Sequence, residues 1–157
     1  MKSARTTLAV LTLLIVSAAA AGAQDRAFLT LRAGEKIVGQ LVDLGGFGYT
    51  VVVNGTERQV PQNDVSVIDF SGSDMCEADW AKFKGTPQVV LRSGDAFDGT
   101  LYDISGTTPL HLTITTRDGQ RELASRDVVR IVFFRPEIAV GTSGRGGGSV
   151  TLPRGIK

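Results

Sequence analysis

Cysteine is nearly missing from this 157-residue chain. Cys76 stands alone, which excludes an internal disulfide framework. In an oxidising compartment such a thiol is free, buried or paired with another chain, and a small buried hydrophobe is the plainest of these readings. Histidine is as scarce, with His111 only, and no His or Cys cluster has the spacing of metal ligands. Aromatic residues make up 6% of the chain, with Trp80 the single tryptophan. Neither sign of charge dominates: 17 basic residues stand against 16 acidic ones, which gives no electrostatic case for nucleic acid or an anionic membrane. No glycine-rich loop follows a strand and opens a helix, as a phosphate cradle would. Catalysis needs titratable or attacking groups within reach of one another. His111 lies between Leu110 and Leu112 at a strand start, and the acids are scattered. The expectation is no enzyme, no catalytic residue, no cofactor and no metal.

Long apolar runs are also few, and the one present lies at the start. A basic Met1-Lys2-Ser3-Ala4-Arg5 precedes an apolar stretch over residues 8–16, and small residues lead to Ala21-Gly22-Ala23. These are the three parts of a secretory signal. The apolar stretch is shorter than the roughly 20 residues of a membrane span, so residues 1–23 are expected to be removed after Ala23. Loss of Lys2 and Arg5 then moves the formal charge from +1 to −1. The product is expected to be periplasmic or extracellular, without a stable membrane span.

What the sequence has in abundance is itself. Leu31-Arg32-Ala33-Gly34-Glu35-Lys36-Ile37-Val38-Gly39-Gln40-Leu41-Val42-Asp43-Leu44 recurs as Leu91-Arg92-Ser93-Gly94-Asp95-Ala96-Phe97-Asp98-Gly99-Thr100-Leu101-Tyr102-Asp103-Ile104, and Asp64-Val65-Ser66-Val67-Ile68 recurs as Asp127-Val128-Val129-Arg130-Ile131. In the second copy Phe97, Gly99, Leu101 and Asp103 share one face at a period of two. Gly34 and Gly94 fall in turns, where glycine accepts a positive φ. Gly39 and Gly99 fall in mid-strand, where a glycine marks a bulge or bend. Asn54-Gly55 and Asp118-Gly119 are hairpin signals. Asp43 and Asp103 close their strands and Asp64 and Asp127 precede the last ones, positions at which a carboxylate accepts hydrogen bonds from turn amides. Their recurrence favours structure, since an active site is rarely needed twice. Each copy therefore reads as five short strands, with only some forty-five residues, near the lower limit for a separate core.

Residues 24–71 form the first unit, 72–86 a linker, 87–137 the second unit and 138–157 a glycine-rich tail of linker composition. In the linker, Asp74 and Glu77 fit a capping box. Cys76, Trp80 and Phe83 fall on one side of a short helix, packed on a unit or offering Trp80 to a partner. Pro87 ends any helix before the second unit. Val150-Thr151-Leu152 could dock on a sheet edge.

The spacing Gly34-x-x-Ile37-x-Gly39-x-Leu41, and its copy Gly94-x-x-Phe97-x-Gly99-x-Leu101, resembles the first motif of the Sm-like family of small five-stranded barrels. It is equally similar to short SH3-like barrels of uncharacterised bacterial envelope proteins. The resemblance implies an all-β fold of two tandem five-stranded barrels joined by a short helical linker. The family's RNA contacts are not matched: the relevant loops read Gly45-Gly46-Phe47-Gly48 and Ser105-Gly106-Thr107-Thr108, and no Arg-Gly ends the closing strands, so nucleic acid is not an expected ligand. The expected role is a non-catalytic envelope module that binds a protein or associates with itself, by strand addition or groove docking. The alternative is a wall- or glycan-binding module. Candidate contact residues are Trp80, Phe47, Tyr49 and Tyr102, with the three last placed on outer faces.

Overall fold

Period-two alternation becomes strands throughout the computed structural model, which describes residues 25–137. The expected signal segment and cleavage site, and the tail with its Val150-Thr151-Leu152 strand, lie outside the described residues. The first copy comprises β1 (Arg26–Leu31), β2 (Lys36–Gly45), β3 (Gly48–Val53), β4 (Thr56–Pro61) and β5 (Val65–Asp69), with a 3₁₀ turn, Gln62–Asp64, before β5. A short helix α1 (Glu77–Lys82) follows. The second copy comprises β6 (Gln88–Leu91), β7 (Ala96–Asp98), β8 (Thr100–Ser105), β9 (His111–Thr116), β10 (Gly119–Ala124) and β11 (Val128–Val132), with a second 3₁₀ turn, Ser125–Asp127, before β11. The fold is all-β. No helix among the described residues is long and apolar enough to cross a membrane.

The two copies repeat each other's ladders. Leu29 faces Ile37 as Val89 faces Phe97. Leu41 faces Val51 as Leu101 faces Ile114, and in both ladders the register slips before the aspartate that follows. That slip places a bulge at Val42 and Tyr102, three residues past the expected site. It also turns Asp103 away from the inward row, where Ile104 takes its place.

The mid-strand glycines mark the bend. Up to Gln40, β2 pairs with β1, and from Gln40 onward with β3, so the strand folds over at Gly39. A Cβ there would stand 2.6 Å from the Val52 carbonyl oxygen, closer than any side chain tolerates. In the second copy the same bend divides the strand into β7 and β8 at Gly99. Gly34 and Gly94 have φ of 85° and 94° in their turns. The recurrent arginines, for which alternation supplies no reason, tie each of these turns to the 3₁₀ turn. The Arg32 and Arg92 amides donate to the Asp64 and Asp127 carbonyls at 2.7 and 2.9 Å, and their guanidinium groups donate to the Asn63 and Arg126 carbonyls at 3.1 and 2.6 Å.

Two closed barrels do not result. Among the described residues β4 pairs only with β3, and no ladder joins it to β5. Instead β5 pairs antiparallel with β11, giving one eight-stranded sheet, β4-β3-β2-β1-β5-β11-β6-β7, and a three-stranded sheet, β10-β9-β8. The second sheet packs on the first through β8 against β2. The physical reason is the one that made forty-five residues marginal: a unit this small cannot bury its apolar face alone. Leu29, Leu41, Tyr49 and Ile68 of the first copy share a single cluster with Leu101, Leu112, Ile114 and Ile131 of the second.

Ile68 pairs with Ile131, its own counterpart in the repeat. Backbone bonds related in the same way flank them, Phe70 to the Val129 carbonyl at 2.8 Å and Phe133 to the Ser66 carbonyl at 2.9 Å. The two halves are thus related by a pseudo-two-fold axis through this pair.

Candidate functional site

The linker lies across the outer face of this seam as a strap. Successive residues of a strand face opposite sides, so Ile68 and Ile131 enter the core while Val67, Asp69, Arg130 and Val132 face outward. Trp80 closes over Val67 and Val132, with Met75 and Phe83 beside it. The Trp80 and Phe83 rings meet edge to face at 5.9 Å. Trp80 is therefore a buried anchor of the strap, and not the exposed partner contact of the alternative reading.

Asp69 and Arg130 form the polar half of the seam. The Asp69 carboxylate accepts hydrogen bonds from the Ser71 and Gly72 amides at 2.7 Å each and from the Ser71 hydroxyl at 2.8 Å, which fixes the turn that opens the strap. Its other oxygen lies 3.2 Å from Arg130 Nε. Arg130 also reaches Asp79 at 3.5 Å and donates to the Ser73 hydroxyl at 3.1 Å. Two further cations hold the strap from outside: Lys36 on Asp74 at 2.6 Å, and Arg135 on both Glu77 oxygens at 2.9 Å with its guanidinium near the Trp80 ring.

The helix start differs from the expected box. Cys76 is the N-cap, exposed and not buried, so the stripe reduces to Trp80 and Phe83. Asp79 takes the carboxylate role in place of Glu77, accepting from the Cys76 amide at 3.3 Å and from its thiol at 3.4 Å. These hydrogen bonds hold the Asp79 carboxyl below its ordinary range, with Arg130 and Lys82 adding smaller attractions. A depressed carboxylate contributes stability above its unfolded value, and loses it as pH falls through the folded one. Asp79→Asn should therefore loosen the strap at neutral pH and have little effect in acid. A red shift of Trp80 fluorescence near pH 7 that vanishes below the carboxylate range is the expected record.

The remaining candidates separate. Tyr49, expected on an outer face, is fully buried in the shared core, because the bend in β2 turns that end of β3 inward. Burial pushes its phenol above the ordinary range, opposed in part by the Gln62 side chain. Its hydroxyl has no partner in good hydrogen-bond geometry among the described residues, and its ring lies 6.4 Å from that of Phe133. Phe47 is 81% exposed at the β2–β3 turn and Tyr102 is 65% exposed on β8. Asp43 is exposed and Asp103 half-buried beside the bulges, while Asp64 and Asp127 serve through their main-chain carbonyls. His111 meets Glu122 at 2.7 Å on the surface. Among the described residues no three His, Cys, Asp or Glu side chains converge as metal ligands do.

Comparison with known protein families, characterised proteins and solved structures returns no match.

Proposed function

We propose that this chain is an exported, non-catalytic envelope module, built from two open variants of the Sm-like or SH3-like small barrel, that acts by binding a protein partner. Residues 1–23 direct export and are removed. The strand order β4-β3-β2-β1-β5 and the long bent second strand of the first half, and the 3₁₀ turn before the last strand of both halves, support kinship with those barrels. Copies of the chain contacting one another through the open β4 edge are one form of the same reading.

The observation that carries the proposal is Phe47. Its counterpart in the second copy, Leu110, is 1% exposed, and the Leu110 amide donates to Asp25 and Ser125 at 2.8 and 3.2 Å. The first copy keeps an apolar residue at this position without burying it, and a ring in solvent between glycines suits a partner's pocket. Phe47→Ala should change stability by less than about 0.5 kcal/mol and weaken partner binding at least tenfold, a loss of about 1.4 kcal/mol or more. Photocrosslinking from position 47 in exporting cells tests this. A discrete protein adduct, competed by the unlabelled protein, is expected. Uncrosslinked chain alone would count decisively against a contact there.

A further inference from the structure

We infer that the cleft lined by Arg26, Arg92 and Arg126, beside the turn that opens the strap, binds a doubly charged phosphate group, free or as a monoester. This cleft is separate from the Phe47 turn and stands on different observations.

The chain as a whole is balanced in charge, and this cleft is not. Its volume is about 320 Å3, and its walls set the start of β1 and the end of β5 against Arg92 and the second 3₁₀ turn. Arg26 alternates with the buried Ala27 and so shares the outward face with Phe28, whose ring lies 5.9 Å from its guanidinium. Arg92 donates from Nε to the Arg126 carbonyl at 2.6 Å and from Nη2 to the Phe70 carbonyl at 3.4 Å. Those two bonds hold its guanidinium between wall residues and leave its other N–H donors unused among the described residues. None of the three arginines has a carboxylate within ion-pair distance among the described residues.

The nearby acids are committed elsewhere. Asp25 is the one carboxylate in the walls, and one of its oxygens accepts from the Leu110 amide at 2.8 Å and from the Ser125 hydroxyl. Asp69, which holds the Ser71 and Gly72 amides, is already met by Arg130. Three guanidinium groups against one carboxylate leave a formal surplus of two positive charges in the cleft.

The pseudo-two-fold axis supplies a comparison. It maps Arg92 onto Arg32, Arg126 onto Asn63 and Ser71 onto Phe134. In the first copy the Arg32 guanidinium lies over the Phe134 ring at 4.1 Å, and Glu137 meets it at 3.7 Å. That arginine is satisfied from within the chain. At Arg92, Ser71 stands in place of the ring, and Asp74, the counterpart of Glu137, is bound to Lys36 at 2.6 Å. Both arginines tie their turns through the same carbonyl position, so the turn demands neither an uncompensated charge at Arg92 nor an arginine at 126.

Charge selects the ligand class. Guanidinium forks pair with phosphate oxygens through parallel hydrogen bonds. A phosphate monoester carries about −1.5 to −2 charges at neutral pH, which matches the surplus, whereas a carboxylate or a phosphodiester carries a single charge. Phe28 and Phe70, half-buried in the same walls, offer apolar surface to the organic part of an ester.

The test is calorimetric titration of the purified exported protein with inorganic phosphate, glycerol 3-phosphate and phosphatidylcholine vesicles containing phosphatidic acid. Acetate and dimethyl phosphate serve as singly charged controls. At least one phosphate probe should bind with a Kd below about 1 mM, and the controls should bind about tenfold more weakly or not at all. Arg126→Asn, which installs the first copy's residue, and Arg26→Gln should each weaken binding about tenfold. Both should melt as wild type, since neither side chain bonds elsewhere among the described residues. Inorganic phosphate bound as tightly as the ester assigns the site to the free ion. Tighter glycerol 3-phosphate assigns it to a soluble ester, and binding to the vesicles alone assigns it to a lipid headgroup. The inference is overturned if no phosphate probe binds, if a singly charged control binds as tightly, or if both arginine variants bind as well as wild type. Crosslinking from position 47 is indifferent to these variants, so the two readings fail separately.

Discussion

Arg130→Ala is expected to lower stability by about 3–5 kcal/mol, the range for removing one partner of a buried ion pair. Arg130 and Asp69 are both buried across the seam. Without the guanidinium, the buried Asp69 oxygen that faces it loses its cation. The amides of the strap turn still hold the other oxygen, so the carboxylate cannot swing into water without releasing the strap. Urea unfolding followed by Trp80 fluorescence and by backbone circular dichroism would measure the loss. The pseudo-two-fold axis supplies a sharper control. It maps Asp69 onto Val132 and Arg130 onto Val67, an apolar pair that already packs under Trp80. Asp69→Val with Arg130→Val should therefore recover most of the loss, because replacing a buried pair by well-packed apolar residues is often neutral or stabilising. The residue of the loss, about 1–2 kcal/mol, reflects the strap-turn hydrogen bonds that Asp69 alone makes. A double variant as unstable as Arg130→Ala would show that the seam depends on the pair itself.

Gly39→Ala is expected to cost about 3 kcal/mol, at the upper end of overpacking changes, and clearly more than Gly99→Ala. At Gly39 the added Cβ meets the Val52 carbonyl oxygen at 2.6 Å and Val51 Cγ1 at 2.7 Å. Backbone of a paired strand cannot move aside without breaking its ladder. At Gly99 the nearest atom is Ile114 Cγ2 at 2.6 Å, and the nearest carbonyl oxygen is 3.3 Å away. A side chain can yield, and the strand is already interrupted there, so about 1–2 kcal/mol is expected. Any entropy gained from replacing glycine in the unfolded chain is common to both variants and cancels in the comparison. Equal losses would mean that the bend in β2 is no tighter than the break between β7 and β8.

Much of this architecture can be read from residue order. Alternation locates the strands, and Asn54-Gly55 forms a tight hairpin with φ of 51° and 80°, the signature of a primed turn. The repeat announces the two halves. Alternation cannot, however, supply the partner of a strand. Val65 to Asp69 would serve equally as the closing strand of a ring or as half of a seam, and only the shortage of apolar surface in each half decides for the seam. The bulges at Val42 and Tyr102 are equally silent, since one extra residue in a ladder leaves the composition unchanged while it reverses the facing of every later side chain in the strand. Tyr49 is wrongly assigned to an outer face because the bend that carries it inward lies in another strand. Trp80 and Phe83 are legible as a helical stripe. Cys76 is not distinguishable from them by spacing, because an N-cap position depends on where the first turn starts. The exposure of Phe47 and Tyr102 is legible in the sequence, whereas their neighbours on the surface, which come from other strands, need the folded chain.

The axis through Ile68 and Ile131 has a consequence for how such a chain can diversify. An interface in which a residue meets its own counterpart is the kind that two identical subunits form, and joining them on one chain makes the encounter independent of concentration. Two identical subunits must repeat every contact on both sides of the axis, so an acid–arginine pair on one side would impose the same pair on the other. A single covalent chain is released from that constraint. It can set a charged pair on one side and valines on the other, place one strap across the axis, and let one half keep a bare phenylalanine while its twin buries a leucine.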